Sequence, residues 1–381
     1  MERGKETCAS WIRRPENRVL VIVGQPRSGA SPPSLEVFSF ESKTASLSSN
    51  PLVTFAMGEE DGEPLGFAVH PSGEEIVCST ANGCKLFELF DRDLNYKLVA
   101  KDLPPLQSIG PQKCLVFSTD GSKFVTGGQD GHLRIMEWPS LKVLLDEPRA
   151  HKSFRDMDIS LDSEFLVSTS TDGSARIWKI SDAAPMISLA RNADEKIECC
   201  RFSKDGMRPF LFCTIQKGGK VVTAVWDIST WNRIGFKRLL RKPISALSVS
   251  LDGKYLALGS NDGDICVVEV KKMDICHWSK KHHHGTAISS LEFCPSERIV
   301  ISTSKGGAAI TKLSVPADWK EWQIYLLLLA LFLGSAVVFY LFHEHSDSFW
   351  NFPLGRNQPG RPYLRTVLHD DSQLADEQSP W

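Results

Sequence analysis

A strand followed by two glycines is the first place in this chain where the residues could bind a ligand. The apolar run VLVIV leads into GQPRSGASPPS, in which Gly24 and Gly29 stand five residues apart and Ser31 follows two places later. A loop that cradles phosphates has nearly this layout, because glycines let backbone N–H groups approach the anion and a hydroxyl binds magnesium. The first question is therefore whether this chain binds a nucleotide.

The same stretch lacks most of what a phosphate loop needs. Ala30 stands where a lysine would contact the phosphates. Pro32-Pro33 and the alternating run SLEVFSF come next, which predicts a strand where the phosphate loop requires a helix. The sequence instead predicts a long, flexible loop between two strands, exposed at one rim and carrying Arg27.

Two further sets of residues could do chemistry. His151, Ser170 and Asp172 combine the residue types of a hydrolase triad, but the nucleophile-elbow motif G-x-S-x-G occurs nowhere in the chain, which favours a structural role. HWSKKHHHG (277–285) could bind a metal or form a solvated loop. Three consecutive histidines of a regular strand cannot all face one ion, and no Cys or Asp set nearby has ligand spacing. We therefore predict no catalytic residue, no metal site and no cofactor.

Charge and cysteine content exclude other classes. The chain of 381 residues has 44 Lys and Arg against 46 Asp and Glu, a net charge of −2, so no global basic field attracts nucleic acid. The ten cysteines have neither disulfide nor zinc spacing, which predicts reduced thiols. FKRLLRKP (236–243) is a basic cluster, either a solvated loop or a contact for anionic lipid or an acidic transporter tail.

An apolar segment near the end of the chain predicts a membrane helix. From Ile324 to Phe342 the sequence has no charge and no proline, and about 19 helical residues span about 28 Å, close to the thickness of an endoplasmic-reticulum bilayer. Trp319, Trp322 and Tyr340 stand near its ends, where interfacial aromatics belong. The segment is predicted to be a single transmembrane helix.

Basic residues near this helix predict its orientation. Lys305, Lys312 and Lys320 precede it, whereas HEHSDSFW directly after it has no Lys or Arg. The positive-inside tendency then places the N-terminal domain in the cytosol, a type II arrangement. We expect a cytosolic domain over 1–318, the helix with its flanks over 319–345, and a short polar lumenal tail over 346–381. Ser372 and Ser379 in that tail would be out of reach of cytosolic kinases.

The predicted cytosolic domain is built from repeats. Short apolar strands are followed by turn signals roughly 42 to 48 residues apart, close to the period of a β-propeller blade. The turn signals are Ser72-Gly73, Asp120-Gly121, Asp162-Ser163, Asp205-Gly206, Asp252-Gly253 and Pro295-Ser296. With 19–40 as an irregular first repeat, the sequence predicts an all-β, seven-bladed propeller followed by one C-terminal transmembrane helix.

The repeat from Ala150 to Lys179 resembles the WD-repeat family. In that family the blades end in a Trp-containing strand, and four side chains form a structural hydrogen-bond tetrad. By this resemblance His151, Ser170, Asp172 and Trp178 form the structural tetrad of the repeat. The other repeats keep the tetrad poorly.

A propeller, a C-terminal membrane helix and an enlarged first-blade loop together resemble the endoplasmic-reticulum exchange factors that activate the small Sar GTPase for COPII budding. A closer resemblance covers almost the whole chain and is to their plant relatives, the phosphate transporter traffic facilitators. It rests on runs such as SWIRRP, LDEPRAHKSFRDMDISLDSEFL, STSTDGSARIWK, LEFCPSER, WKEWQIY and SDSFW.

The first-blade loop departs from the exchange-factor pattern. In those proteins this loop is glycine-rich, binds a potassium ion and presents an asparagine to the GTPase. Here no asparagine occurs between Asn17 and Asn50, and three prolines lack an N–H. The altered exchange loop consists of Gly24, Gln25, Pro26, Arg27, Gly29, Ser31, Pro32, Pro33 and Ser34.

The resemblance with this departure implies an endoplasmic-reticulum membrane protein that is not an enzyme. Its expected role is to let phosphate transporters, its cargo, leave the endoplasmic reticulum for the plasma membrane. Two alternatives remain: a working exchange factor for the Sar GTPase that starts COPII vesicle formation, and a general propeller scaffold for coat assembly.

Overall fold

The structure is a computed structural model that describes residues 7–15, 18–92, 95–182, 184–189, 194–206, 209–296, 298–313 and 321–344. The chain divides into two units, Met1–Val315 and Pro316–Trp381. The predicted tail over 346–381, together with Trp319 and Lys320, lies outside the described residues.

The first unit is a ring of seven antiparallel sheets, so the predicted seven-bladed propeller is confirmed. In every blade the strands follow one another from the innermost to the outermost, except that β5 pairs with β3 in blade 1. The strands are β1 Cys8–Arg13, β2 Val19–Gln25, β3 Ser34–Glu41, β4 Ser46–Leu47 and β5 Val53–Ala56 in blade 1; β6 Gly66–Val69, β7 Glu75–Ser79, β8 Cys84–Arg92 and β9 Asn95–Asp102 in blade 2; β10 Gln112–Phe117, β11 Lys123–Gly128, β12 Leu133–Glu137 and β13 Val143–Glu147 in blade 3; β14 Phe154–Ile159, β15 Phe165–Ser170, β16 Ala175–Lys179 and β17 Ala184–Ser188 in blade 4; β18 Glu195–Phe202, β19 Phe210–Lys217, β20 Lys220–Asp227 and β21 Arg233–Lys237 in blade 5; β22 Ile244–Val249, β23 Tyr255–Ser260, β24 Ile265–Glu269 and β25 Asp274–Ser279 in blade 6; and β26 Ile288–Phe293, β27 Ile299–Ser304 and β28 Gly307–Lys312 in blade 7.

The turns between the first and second strands are those that the sequence predicts. Each predicted turn signal from Ser72-Gly73 to Pro295-Ser296 separates the two innermost strands of its blade. In blade 4 the turn residue Ser163 has a φ of 60°, a conformation that glycine adopts at the same place in blades 2, 3 and 6. We call the end of the propeller with these turns the lower face. The upper face carries the turns between second and third strands and the connections from blade to blade.

The core lies between neighbouring blades. Among the described residues, each pair of adjacent blades encloses one cluster of buried apolar side chains, including the cluster that joins blade 7 to blade 1. Trp178 and Trp226 are the largest of the fully buried side chains in these clusters. Such burial is the main term that stabilises a sheet protein, at about 25 cal/mol per Å² of apolar surface.

The ring closes without a strand shared between its first and last described sheets. Blade 7 has three described strands, and β1 belongs entirely to the sheet of blade 1. Contact between them is made by side chains, with Trp11, Val21 and Ile301 buried in the joining cluster. The indole Nε1 of Trp11 also donates to the carbonyl oxygen of Glu292, at 3.1 Å.

The second unit has one described helix, α1, over Glu321–Glu344. Within it, Trp322–Glu344 is long and apolar enough to cross a membrane, and it contains the predicted segment Ile324–Phe342. Its described side chains are exposed on every side of the helix. This uniform apolar exposure fits a single-pass membrane protein, because a soluble helix would carry a polar face.

Candidate functional site

The altered exchange loop forms the tip of a β-hairpin on the upper face of blade 1. Gln25 pairs with Ser34 as the last step of the β2–β3 ladder. Beyond it, Ser28 and Ser31 form an isolated bridge, in which the Ser28 N–H donates to the Ser31 carbonyl (3.3 Å) and the Ser31 N–H donates to the Ser28 carbonyl (3.0 Å). Gly29 lies between them with a φ of 56°. The loop is therefore a hydrogen-bonded hairpin extension and not an open cage.

Pro33 anchors this hairpin to the sheet. Pro33 is buried, and its carbonyl accepts the Met57 N–H at 2.9 Å next to the β3–β5 ladder. Residues 27–32 are exposed. Arg27 forms an exposed ion pair with Glu59, with 3.8 Å between Nη2 and Oε1. The tip thus offers exposed hydroxyls and one guanidinium group to a partner.

The first glycine of the motif has a packing role. Gly24 is buried in β2 opposite Cys8. A Cβ atom at this position would lie 2.6 Å from the Cys8 Sγ and 3.0 Å from both the Phe67 ring and the Pro64 Cβ. The space that a phosphate would need above this glycine is filled by side chains, which agrees with the rejection of a phosphate loop.

The predicted blade tetrad is a buried hydrogen-bond chain that includes Ser168 in the place given to Ser170. The Trp178 Nε1 donates to the Ser168 Oγ at 2.8 Å, and the same Oγ lies 2.8 Å from the His151 Nε2. An indole N–H can only donate, so the serine oxygen is the acceptor in its bond with Trp178 and links the indole to the imidazole. Ser170 lies two residues further along the same face of β15, where its Oγ accepts the Asp172 N–H at 3.4 Å.

A substrate cannot reach the residues of this hydrogen-bond chain. His151, Ser168 and Trp178 are all buried. Burial lowers the pKa of His151 to about 4, with a further contribution from Arg176, so the imidazole is neutral at pH 7. Asp172 accepts the Ser174 N–H at 2.9 Å and makes no direct hydrogen bond to the histidine. The arrangement supports the structural interpretation of these residues over the catalytic one.

The triple-histidine run contributes a similar cluster to blade 7. His283 is buried, with its Nε2 2.7 Å from the Ser302 Oγ and its Nδ1 2.8 Å from the Ser304 Oγ. Burial lowers the pKa of this imidazole to about 4. The expected solvated loop is therefore wrong for His283. No group of three or more His, Cys, Asp or Glu residues that could hold a metal ion occurs in the part of the chain that the structure describes.

Sequence reasoning missed a set of carboxylates on the innermost strands. Asp156 on β14 accepts the N–H of Cys200 at 2.9 Å and a guanidinium N–H of Arg201 at 2.6 Å, both on β18. Asp158 accepts the Phe202 N–H at 2.8 Å. These contacts join neighbouring inner strands that form no ladder with each other. Their only sequence signal is a charge within an otherwise apolar first strand, as in MDISLDS.

Glu292 makes the equivalent contact where the ring closes. Its Oε2 accepts the Ser10 hydroxyl at 2.8 Å and the Trp11 N–H at 3.3 Å. Burial raises the pKa of this carboxyl group to about 7, against the lowering effect of the two hydrogen bonds. Glu292 is thus a polar link between blade 7 and blade 1.

The described cysteines and the basic cluster have ordinary environments. All ten cysteines are free thiols, and burial raises the pKa of Cys8 to about 12, so they are poor nucleophiles. In the FKRLLRKP run, Leu239 and Leu240 are buried, whereas Lys237 and Lys242 form ion pairs with acidic residues of blade 6. The run is therefore part of the contact between blades 5 and 6.

Comparison with known proteins places this fold in a family. A family model described as WD domain, G-beta repeat matches residues 107–136 and 142–179. SEC12-like protein 1 of Arabidopsis thaliana is 54% identical over 387 residues, which cover 100% of this chain and 97% of that protein. The chain belongs to the SEC12-like family.

Two further relatives are less similar to this chain. SEC12-like protein 2 of Arabidopsis thaliana is 34% identical over 68% of this chain and 67% of its own length. The guanine nucleotide-exchange factor SEC12 of Mus musculus is 25% identical over 61% of this SEC12-like chain, and the match spans 54% of the mouse protein.

Proposed function

We propose that this SEC12-like protein is an endoplasmic-reticulum membrane accessory factor without exchange activity. Its cytosolic propeller serves as a binding platform that lets phosphate transporters leave the endoplasmic reticulum for the plasma membrane. The observation that carries this proposal is the first-blade hairpin. Its tip closes on itself through Ser28 and Ser31, and no asparagine lies within it. To open the phosphate and magnesium contacts of a GTPase, an exchange factor must position side chains at those contacts. The hairpin lacks the asparagine that the exchange factors present there.

The membrane helix supports a role as a platform. A transporter leaving the endoplasmic reticulum lies in the same bilayer as α1, so a shared membrane raises the effective concentration of a weakly binding partner. In the proposed type II arrangement, the propeller faces the cytosolic segments of that transporter. The exposed hairpin tip on the upper face is one surface open to such a segment.

The test is delivery of transporters in cells that lack the protein. We expect a phosphate transporter to remain in the endoplasmic reticulum, while an unrelated plasma-membrane protein reaches the surface at its normal rate. Reintroducing the full chain restores delivery, and a chain that lacks 319–345 restores it poorly. Normal surface delivery of phosphate transporters without the protein refutes the proposal, and arrest of every cargo favours a general coat scaffold.

The second candidate is an exchange factor for the Sar GTPase that starts COPII vesicle formation. It is favoured by the similarity to the mouse protein, whose name states that it is a guanine nucleotide-exchange factor. This candidate predicts that the purified protein accelerates nucleotide release from the GTPase. The closed tip of the blade 1 hairpin speaks against it.

A further inference from the structure

Two outer strands on neighbouring blades expose large apolar side chains. On β21 of blade 5, Ile234 is 59% exposed and Phe236 is 68% exposed, the highest values among the large apolar residues of the described propeller. On β25 of blade 6, Ile275 is 41% exposed and Trp278 is 45% exposed. Exposed aromatic residues on the outermost strands of two neighbouring blades are unusual for a surface that meets only water.

Cations accompany these side chains. The Arg233 guanidinium lies 5.8 Å from the centre of the Phe236 ring, and the Lys280 ammonium lies 5.4 Å from that of Trp278. The Lys237 Nζ is 2.8 Å from the Asp274 Oδ1, which joins the two strands. We call this surface the blade 5–6 wall: Arg233, Ile234, Phe236, Lys237, Ile275, Trp278 and Lys280.

The segments that form the blade 5–6 wall have a net positive charge, although Arg233 pairs with Glu195 and Lys237 with Asp274. The segments 233–243 and 271–284 contain five and four Lys or Arg residues, nine in all, against one acidic residue, Asp274. The outer strand of blade 3 is balanced, since the segment 142–149 contains two basic and two acidic residues. A surface that combines aromatic residues with a cluster of cations matches the interface of a bilayer that contains anionic lipid.

A short stretch of chain connects the propeller to the membrane-crossing helix. Leu313 follows β28, the outermost described strand of blade 7, and blade 7 is the neighbour of blade 6. The membrane-crossing helix begins at Glu321, and eight Cα steps reach at most about 28 Å. The length of the connecting chain therefore sets an upper limit on the distance between Leu313 and the start of α1.

We propose that the blade 5–6 wall rests on the surface of a bilayer that contains anionic phospholipid. The rings of Phe236 and Trp278 enter the headgroup region, where aromatic side chains are favoured, and the cations beside them meet lipid phosphates. The connecting chain makes even a weak surface contact persistent, because the lipid concentration near the propeller is high. This contact leaves the upper face open to a protein partner.

The experiment uses the full chain in lipid nanodiscs and measures hydrogen exchange of backbone amides. One disc is pure phosphatidylcholine, and the other contains roughly 30% phosphatidylserine. We expect amides of β21 and β25 to exchange roughly threefold or more slowly in the anionic disc, and high salt to remove the difference. Amides of β13 are the internal control and exchange equally in both discs.

A variant that combines Phe236→Ser with Trp278→Ser completes the test, since both side chains are exposed and their loss leaves the core intact. The variant is expected to lose the protection in anionic discs while β13 exchanges as in the natural protein. Equal exchange of β21 and β25 in both discs overturns the proposal. Protection in neutral discs that appears only on adding an acidic polypeptide also overturns it, because the partner would then be a protein segment.

Discussion

The turn between the second and third strands has opposite characters in blades 1 and 4. In blade 4 it is a short turn around Asp172, directly beside the buried chain of Trp178, Ser168 and His151. In blade 1 the same connection extends to a hairpin tip that is exposed over residues 27–32. One topological position therefore serves the framework in one blade and presents a surface in the other.

The difference explains why residue types alone mislead here. The His, Ser and Asp of blade 4 have the chemistry of a hydrolase but lie where no substrate reaches them. The glycines of blade 1 have the spacing of a phosphate loop, yet the space beside Gly24 is filled. Burial and hydrogen-bond partners, and not residue identity, separate framework from surface.

The largest expected effect breaks the blade 4 framework. Ser168→Ala leaves the indole N–H of Trp178 and the ring nitrogen of His151 without their partner in a buried site, which costs about 2–3 kcal/mol of the free energy of unfolding. Urea unfolding followed by tryptophan fluorescence measures this change. Ser170→Ala is the matched control and is expected to cost less, about 1 kcal/mol, since its hydroxyl contacts the N–H and the carboxylate of the exposed turn residue Asp172. Equal losses of stability in the two variants would indicate that Ser170 is the serine of the tetrad, as the sequence predicts.

A smaller effect separates the base of the blade 1 hairpin from its tip. Gly24→Ala places a methyl group against Cys8, Phe67 and Pro64 and is expected to cost about 2 kcal/mol of stability. Gly29→Ala meets nothing within 4 Å and costs about 1 kcal/mol through its left-handed backbone alone. Thermal unfolding of both variants checks the order. A larger loss for Gly29→Ala would mean that the tip packs against other residues.

The pH dependence of stability tests the neutral imidazole of His151. Because its pKa falls from 6.5 to about 4 on folding, the unfolded chain binds more protons between these values. The contribution of His151 is fully present above pH 6.5 and is lost as pH falls towards 4, by about 1–2 kcal/mol between pH 7 and pH 5. The protein with His151→Gln should lose less stability than the natural protein over this interval. The raised pKa of Glu292 acts in the opposite direction and cancels in that difference. Parallel pH profiles for the two proteins would show that folding does not lower the pKa of His151.

The smallest effect belongs to the exposed tip. Arg27→Ala removes an ion pair whose two partners are both exposed, so the free energy of unfolding should change by less than about 0.5 kcal/mol. If this variant then reduces the proposed delivery of phosphate transporters, the cause would be a lost contact with a partner and not a loss of stability. A clear loss of stability would instead make Arg27 part of the framework.

The fold could be predicted because its signals are local. Each turn such as Asp120-Gly121 stands between two short strands, and the spacing of these turns gives the number of blades without any long-range information. The membrane-crossing segment is local too, since Ile324–Phe342 lies inside the helix that the structure describes.

The site contacts that the sequence did not predict depend on which side chains meet in the folded structure. Ser168 and Ser170 lie two residues apart and so on the same face of β15, and only the position of the Trp178 indole decides which one it contacts. The inner-strand carboxylates were missed because their partners are distant in sequence, 44 residues away for Asp156 and Cys200 and 282 for Glu292 and Ser10. Contacts between residues so far apart in the chain produce no recognisable pattern in a single sequence.

The most direct measurement is release of labelled GDP from the Sar GTPase in the presence of the purified full chain. The closed hairpin predicts the uncatalysed release rate, and the mouse protein named guanine nucleotide-exchange factor SEC12 serves as the comparison under the same conditions. A chimera in which 24–34 is replaced by an asparagine-containing, glycine-rich loop tests whether the rest of the propeller still supports exchange. Accelerated release by the natural chain would contradict the central claim that its hairpin has lost the exchange chemistry.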